Sequence, residues 1–262
     1  MTATIDDLTE RLRRAGCVFA EEEAQVLIAA AAGPVELEAM AAERILGTPL
    51  EHVVGFAEFC GQRIMVDRGV FVPRQRTEFL VREAVGVASP GSVVVDLCCG
   101  SGAVGVAVAG TSGLPIELYA SDIEPAAVGC ARKNVEPVGG RVFEGDLFKP
   151  LPASLCGRIE VLVVNAPYVP TGAIDLMPRE ARLFEPLVTL DGGEDGLDLH
   201  RRIADVAIDW LAPGGHVLIE TSIDQAPIVM RLFAGGGLAA TTVRDEELDA
   251  TLVVGRSPQA KG

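Results

Sequence analysis

The run Val161-Leu162-Val163-Val164-Asn165-Ala166-Pro167-Tyr168 decides how the rest of the chain is read. Its apolar, β-branched first half has the pattern of a strand buried on both faces. The second half delivers a polar amide, a rigid turn and an aromatic ring to one point. Pro167 has no backbone N–H for a neighbouring strand and drives Ala166 toward extended or turn geometry, so pairing stops near Asn165. Ligands of open α/β sheets sit at such strand ends. An ordinary strand exit would look the same, so the flanking sequence has to decide.

Working outward, strands are expected at 93–97, 117–121, 141–144, 160–164, 216–220, 239–243 and 251–255, with helical stretches at about 103–109, 125–135 and 197–211. This alternation predicts a parallel sheet covered by helices on both faces. Residues 244–250 leave no room for a crossover helix, so the last two strands should pair antiparallel. Upstream, 53–59 and 63–66 flank Cys60-Gly61-Gln62 as a β-hairpin. Before it, apolar residues at helical spacing from Ile5 to Leu46 are broken at Gly33-Pro34 and Gly47-Thr48-Pro49, which suggests two or three short helices. The expected class is therefore α/β: a seven-stranded, mostly parallel sheet with one antiparallel strand, preceded by a helical segment (1–48) and a hairpin (49–72), with the main domain at 73–262. Residues 257–262 read as a frayed tail.

Composition narrows the function. At 262 residues and 49% hydrophobic the chain can bury a substantial core. No apolar run is long enough for a bilayer-spanning helix, and the acidic, polar N-terminus lacks a secretory pattern, so the expected location is cytoplasmic, with no membrane partner. The six cysteines include no Cys-x-x-Cys pair and few histidines lie near them, so no metal site is expected and the thiols should be reduced. A formal charge of −15 opposes direct nucleic-acid binding and suits an uncharged or basic substrate.

Candidate ligand-binding residues gather at successive strand ends. Asp96-Leu97-Cys98-Cys99-Gly100-Ser101-Gly102 is a Gly-rich strand-to-helix turn whose glycines let backbone N–H groups approach a ligand. No Gly-Lys-Ser/Thr follows, so it is not a phosphate-binding Walker loop. About twenty residues on, Asp122, followed by Ile123, closes the second strand, where a carboxylate accepts both hydroxyls of a ribose. After the third strand, Asp146 and Leu147 stand where an adenine could be gripped by a hydrogen bond and by packing. Between the hairpin and the first strand, Val72-Pro73-Arg74-Gln75-Arg76-Thr77-Glu78 leads into a helix carrying Phe79, Leu80, Val81 and Val85. One reading puts Arg74 and Glu78 at the mouth of a site; the other makes this a surface helix start.

These motifs resemble class I methyltransferases that use S-adenosylmethionine, and Asn165-Ala166-Pro167-Tyr168 is similar to the Asn-Pro-Pro-Tyr of amino-group methyltransferases. More specifically, the chain resembles the release-factor glutamine N5-methyltransferase family. The likeness runs from about Gly47 to Gly255, through Gly69-Val70-Phe71-Val72-Pro73-Arg74 with Thr77-Glu78, Leu176-Met177-Pro178-Arg179-Glu180, Phe184-Glu185-Pro186-Leu187, and Leu190-Asp191-Gly192-Gly193-Glu194-Asp195-Gly196-Leu197. The resemblance implies a Rossmann-like methyltransferase domain and S-adenosylmethionine as cofactor. Cys98, Cys99, Gly100, Ser101 and Gly102, after Asp96, would surround its methionine part, Asp122 and Ile123 its ribose, and Asp146 and Leu147 its adenine. Asn165, Ala166, Pro167 and Tyr168 would hold the acceptor amide beside Arg74 and Glu78, and the helical N-terminus would dock a protein substrate, a peptide-chain release factor or a relative. An amide nitrogen is a poor nucleophile, so alignment with the sulfonium methyl about 3 Å away is the main lever. The Asn165 side-chain oxygen and the Ala166 carbonyl would accept its two N–H bonds and stabilise charge developing on nitrogen.

Three departures from the family pattern bear on the acceptor and the cofactor channel. Ala166 replaces a proline, Arg76 replaces a carboxylate, and Cys98 places a Cβ where glycine is usual, narrowing the methionine channel. They leave a second expectation open, a small-molecule or peptide N-methyltransferase. A non-catalytic binding protein is opposed by the intact Asn165, Pro167 and Tyr168. His200 and His216 read as structural or surface residues and Trp210 as core; Asp191, Glu194, Asp195 and Asp198 read as a turn and helix start rather than a metal cluster. Glu220 reads equally as a solvated strand end or a site carboxylate.

Overall fold

The computed structural model describes residues 5–259, so the first four residues of the acidic N-terminus and the last three of the expected frayed tail lie outside it. Three helices come first, α1 (Ile5–Arg14), α2 (Ala20–Ala30) and α3 (Pro34–Ile45). Leu8, Leu12, Ala24, Leu27 and Ala41 form a small separate core between them. Arg44 is buried there, donating to Glu23 at 2.5 and 3.1 Å and to Glu180, far along the chain, at 2.7 Å. Desolvation opposes the Arg44 charge, but these two carboxylates outweigh it and hold its pKa high.

The hairpin is shorter than expected at its start. Val53 and Val54 belong to a helix, α4 (Leu50–Val54), which ends because Gly55 takes a left-handed φ of +82° and returns its N–H to the Glu51 carbonyl. The strands are β1 (Phe56–Phe59) and β2 (Gln62–Met65), paired Phe56↔Met65 through Phe59↔Gln62 around Cys60-Gly61, both with positive φ. That is the backbone a two-residue hairpin requires.

The main sheet contains β3 (Val93–Leu97), β4 (Glu117–Asp122), β5 (Arg141–Glu144), β6 (Ile159–Val164), β7 (Leu211–Thr221), β8 (Ala239–Asp245) and β9 (Ala250–Arg256) in the order β5-β4-β3-β6-β7-β9-β8. Only β9 runs antiparallel, inserted between β7 and β8. The period of two sorts each central strand between two cores. Val94, Val161 and Val163 face α5 (Glu78–Val87), α6 (Ala103–Ser112) and α7 (Pro125–Val135). Val93, Val95, Leu97, Leu162 and Val164 face α9 (Asp198–Trp210) and α10 (Ala226–Gly235). With helices on both sides, all five residues of β3 are buried. The order reverses between β3 and β6, the topological switch point, and their carboxyl ends deliver Cys98 and Asn165 side by side.

Candidate active site

At that switch point lies a cavity of about 450 Å³, lined by the Gly loop, the ends of β4 and β5, the Asn165–Val169 turn, Arg74, Arg76 and Thr77, and the returning segment at 188–193. Asp96, almost completely buried, is aimed at the start of α6, where its Oδ2 accepts the Gly105 N–H at 2.8 Å. It fills the capping role that Gly102, with no side chain, leaves vacant. Burial pushes its pKa up to about 8, against the pull of that hydrogen bond. Cys98 has a left-handed φ of +57°, the backbone reason glycine suits this position, and its side chain lines the cavity.

Asp122 ties two loops together: Oδ2 accepts the Gly100 N–H at 2.8 Å and Oδ1 the Glu124 N–H at 3.0 Å. Burial raises its pKa, and these N–H bonds pull the other way. A carboxylate has about four acceptor positions, so one on each oxygen remains for hydroxyls entering from the cavity. Gly100, φ +55°, has nothing within 4 Å of where a Cβ would stand, so its backbone is bare toward the same space. Asp146 is more committed, taking Arg202 at 2.7 Å on both oxygens and Lys149 at 2.8 Å. The Arg202 guanidinium holds its pKa below the usual carboxylate range. Ile123 and Leu147 also line the cavity. A nucleoside with two vicinal hydroxyls and a planar base fits these acceptors and walls.

The side of the cavity around Asn165 and Tyr168 is built on Glu220, which is buried to 1% exposure at the end of β7 rather than solvated. Its Oε1 accepts Arg76 Nε–H at 3.1 Å and the Tyr168 hydroxyl at 3.0 Å; its Oε2 accepts the Thr77 hydroxyl at 2.7 Å. Asn165 Nδ2 lies 3.5 Å from Thr77 Oγ1. Among the described residues nothing donates to Asn165 Oδ1 or to the Ala166 carbonyl. Burial, then the Glu220 charge, pushes the Tyr168 pKa up, so the ring stays a neutral phenol. Ala166 is buried, with its methyl in the core.

After Tyr168 the chain leaves the sheet and returns, with the Val169 N–H donating to the Leu190 carbonyl and the Gly192 N–H to the Val169 carbonyl. Gln225 Nε2 clamps both ends of this excursion, donating to Tyr168 O at 2.9 Å and Asp195 O at 3.0 Å. Arg74 lines the cavity but is held by the buried Glu185, 2.6 Å from both oxygens. Glu78 does not reach the cavity, contrary to expectation; its carboxylate accepts the Cys60 N–H at 3.0 Å and fastens the hairpin turn. His200 and His216 have lowered pKa values, chiefly from burial; that of His200 is about 4, and its Nε2 meets the Glu220 carbonyl at 3.1 Å. Gln225 is absent from the motif reading, which quotes Thr77 and Arg76 without linking them to Glu220 and leaves Glu220 undecided between solvent and site. Their signal is the polar strand end of β7 together with the segment before α5, which only the fold brings into register.

A family model, the methyltransferase small domain, matches residues 63–180. A release factor glutamine methyltransferase of Geobacter sulfurreducens is 39% identical over 210 residues, covering 78% of this chain and 72% of that protein. A 4-amino-L-phenylalanine/4-methylamino-L-phenylalanine methyltransferase of Streptomyces pristinaespiralis is 34% identical over 204 residues, covering 74% and 68%. Among solved structures, the T. thermophilus 16S rRNA methyltransferase RsmC, in complex with AdoMet and guanosine, superposes with a TM-score of 0.54 at 19% identity, covering 77% of this chain and 49% of that one. That likeness concerns the fold.

Proposed function

This chain belongs to the release factor glutamine methyltransferase family, and on that premise we propose that it transfers a methyl group from S-adenosylmethionine to the side-chain amide nitrogen of a glutamine in a protein, a peptide-chain release factor in the first instance. The observation that supports this reading is a pair of acceptors that no described residue engages, Asn165 Oδ1 and the Ala166 carbonyl, on two residues that line the cavity next to the Gly loop. Bound there, the cofactor supplies an electrophilic methyl on its sulfonium. Asp122 takes the ribose hydroxyls, the bare backbone at Gly100 admits the methionine part, and the Asp146–Leu147 end takes the adenine. Asn165 and Ala166 accept the two amide N–H bonds, which turns the nitrogen lone pair toward the methyl and stabilises positive charge as it forms. Tyr168 packs on the planar amide, and the walls of the cavity keep water from competing. No group in this arrangement has to remove a proton before transfer.

The helical segment α1–α3 serves as the docking surface for the protein substrate in this reading, tied to the active-site excursion by the Arg44–Glu180 pair. The net charge of −15 supports a protein rather than a nucleic-acid acceptor, and a release factor places the work in the cytoplasm. A second reading, a small-molecule N-methyltransferase, is favoured by Ala166 in place of a proline and by the relative named for 4-amino-L-phenylalanine. Calorimetry with S-adenosylhomocysteine tests the cofactor half of both: binding at micromolar levels is expected, and no binding would overturn them.

A further inference from the structure

Glu220 is the point where the acceptor-side residues meet, and the direction of each hydrogen bond around it follows from chemistry. Buried to 1% exposure, with Arg76 Nε–H at 3.1 Å to balance its charge, it is an acceptor at both oxygens. The single hydroxyl proton of Thr77 is therefore directed to Oε2 at 2.7 Å. That leaves Thr77 Oγ1 only lone pairs for its next neighbour, so the group of Asn165 facing it at 3.5 Å has to be the NH2. Asn165 Oδ1 is then forced to the opposite side, toward the acceptor. The same carboxylate takes the Tyr168 hydroxyl at 3.0 Å and fixes the ring. Its main chain is held in turn by His200 Nε2–H on the Glu220 carbonyl at 3.1 Å, which sets the tautomer and leaves Nδ1, buried and without a partner, as the unprotonated nitrogen.

We propose that Glu220, acting through Thr77, is the positioning residue that sets which face Asn165 presents to the methyl acceptor, and that Arg76 is the counter-charge that lets a buried carboxylate do so. This rests on the amide-methylation reading above. Without the relay the Asn165 amide is free to turn by a half-rotation and offer N–H donors to an acceptor that itself has only N–H to give, which is a repulsive pairing. The 3.5 Å step from Thr77 to Asn165 is the longest and weakest contact in the relay.

The test compares two variants at Thr77 with one at Glu220, using S-adenosylmethionine and a release factor as acceptor. Thr77→Val keeps the shape and removes the hydroxyl; it should lower kcat about tenfold or more, the rate equivalent of one lost hydrogen bond, with cofactor Kd and acceptor KM within about threefold. Thr77→Ser restores the hydroxyl and should recover most of that loss. Glu220→Gln should lower kcat similarly, and the double variant Thr77→Val/Glu220→Gln should be no slower than the worse single one, because both break the same relay. In parallel, the Asn165 side-chain NH2 resonances, assigned by their loss in Asn165→Ala, should shift in Thr77→Val and return in Thr77→Ser. This second readout needs no acceptor. If the wild type leaves the release factor unmethylated while the resonances respond, the acceptor reading fails and the relay stands. Unmoved resonances, a Thr77→Val enzyme with wild-type kcat, or a Thr77→Ser enzyme as slow as Thr77→Val would overturn the relay.

Discussion

Replacing Asp122 by asparagine is the perturbation whose size can be worked most directly from the structure. The carboxylate spends one acceptor position of each oxygen on backbone, Gly100 N–H at 2.8 Å and Glu124 N–H at 3.0 Å, and has one left on each, which the proposed function assigns to the two ribose hydroxyls. In Asp122→Asn one oxygen becomes an NH2. One backbone N–H then faces a donor, one hydroxyl loses its acceptor, and the other loses the charge that strengthened its bond. Hydrogen bonds to charged groups contribute about 1.5–3 kcal/mol each, so losing one and weakening another should cost about 2–3 kcal/mol of binding, roughly 30- to 150-fold in Kd. Isothermal titration with S-adenosylhomocysteine reads this number. A ligand analogue without either ribose hydroxyl should bind the wild type and the variant alike, which separates the ribose contact from loosening of the Gly100 loop. A Kd for the full ligand within about threefold of wild type would refute the assignment of Asp122 to the ribose.

Other predictions concern transfer, acidity and backbone. Asn165→Ala should leave S-adenosylhomocysteine binding within about threefold while lowering kcat by roughly a hundredfold, the scale of losing a preorganised acceptor at the reacting atom; equal losses in binding and turnover would contradict its role. Asp96, with its pKa raised from 3.8 to about 8, holds a proton in the folded protein that it loses when unfolded, so its stabilisation is present below pH 3.8 and is lost as pH rises through about 8. His200, its pKa lowered to about 4, acts oppositely but only below about 6.5, so urea unfolding between pH 6.5 and 9 isolates the Asp96 trend. Stability should fall over that window in the wild type and fall less in Asp96→Asn; identical slopes would remove Asp96 as the cause. Gly102→Ala forces an L residue to φ +78° and puts a Cβ 2.7 Å from Val135 Cγ2. It should lower unfolding stability by at least the 1–2 kcal/mol or so of a left-handed residue, and an unchanged urea midpoint would sink that reading.

The sheet was legible because its strands are short apolar runs cut by glycine, proline or a carboxylate, and their termini supply much of the cavity lining. Val93–Leu97 and Arg141–Glu144 fall where the pattern puts them, and the cramped link at 244–250 made the antiparallel pairing of β8 with β9 unavoidable. Val53 and Val54 misled because β-branching outweighed a five-residue helix whose stop signal, Gly55, is equally a turn residue. The helix Ala226–Gly235 was not assigned at all, although Val229 and Phe233 are core residues. On the acceptor side, local sequence shows Asn165 and Tyr168 but not what orients them. Arg76 and Glu220 are 144 positions apart and Thr77 and Glu220 are 143 apart. No period or spacing joins them, and a strand-end carboxylate looks the same whether it is solvated or buried. Glu78 shows the converse, a residue matched to the family motif whose carboxylate fastens a hairpin instead of facing the cavity.

Mass spectrometry of a release factor carrying a Gly-Gly-Gln loop, after incubation with this protein and methyl-labelled S-adenosylmethionine, tests the central claim most directly. One labelled methyl on that glutamine's side-chain nitrogen is the expected result, accumulating roughly a hundredfold more slowly when Asn165→Ala replaces the wild type. An unlabelled release factor alongside methyl transfer to 4-amino-L-phenylalanine would contradict it and establish the small-molecule reading in its place.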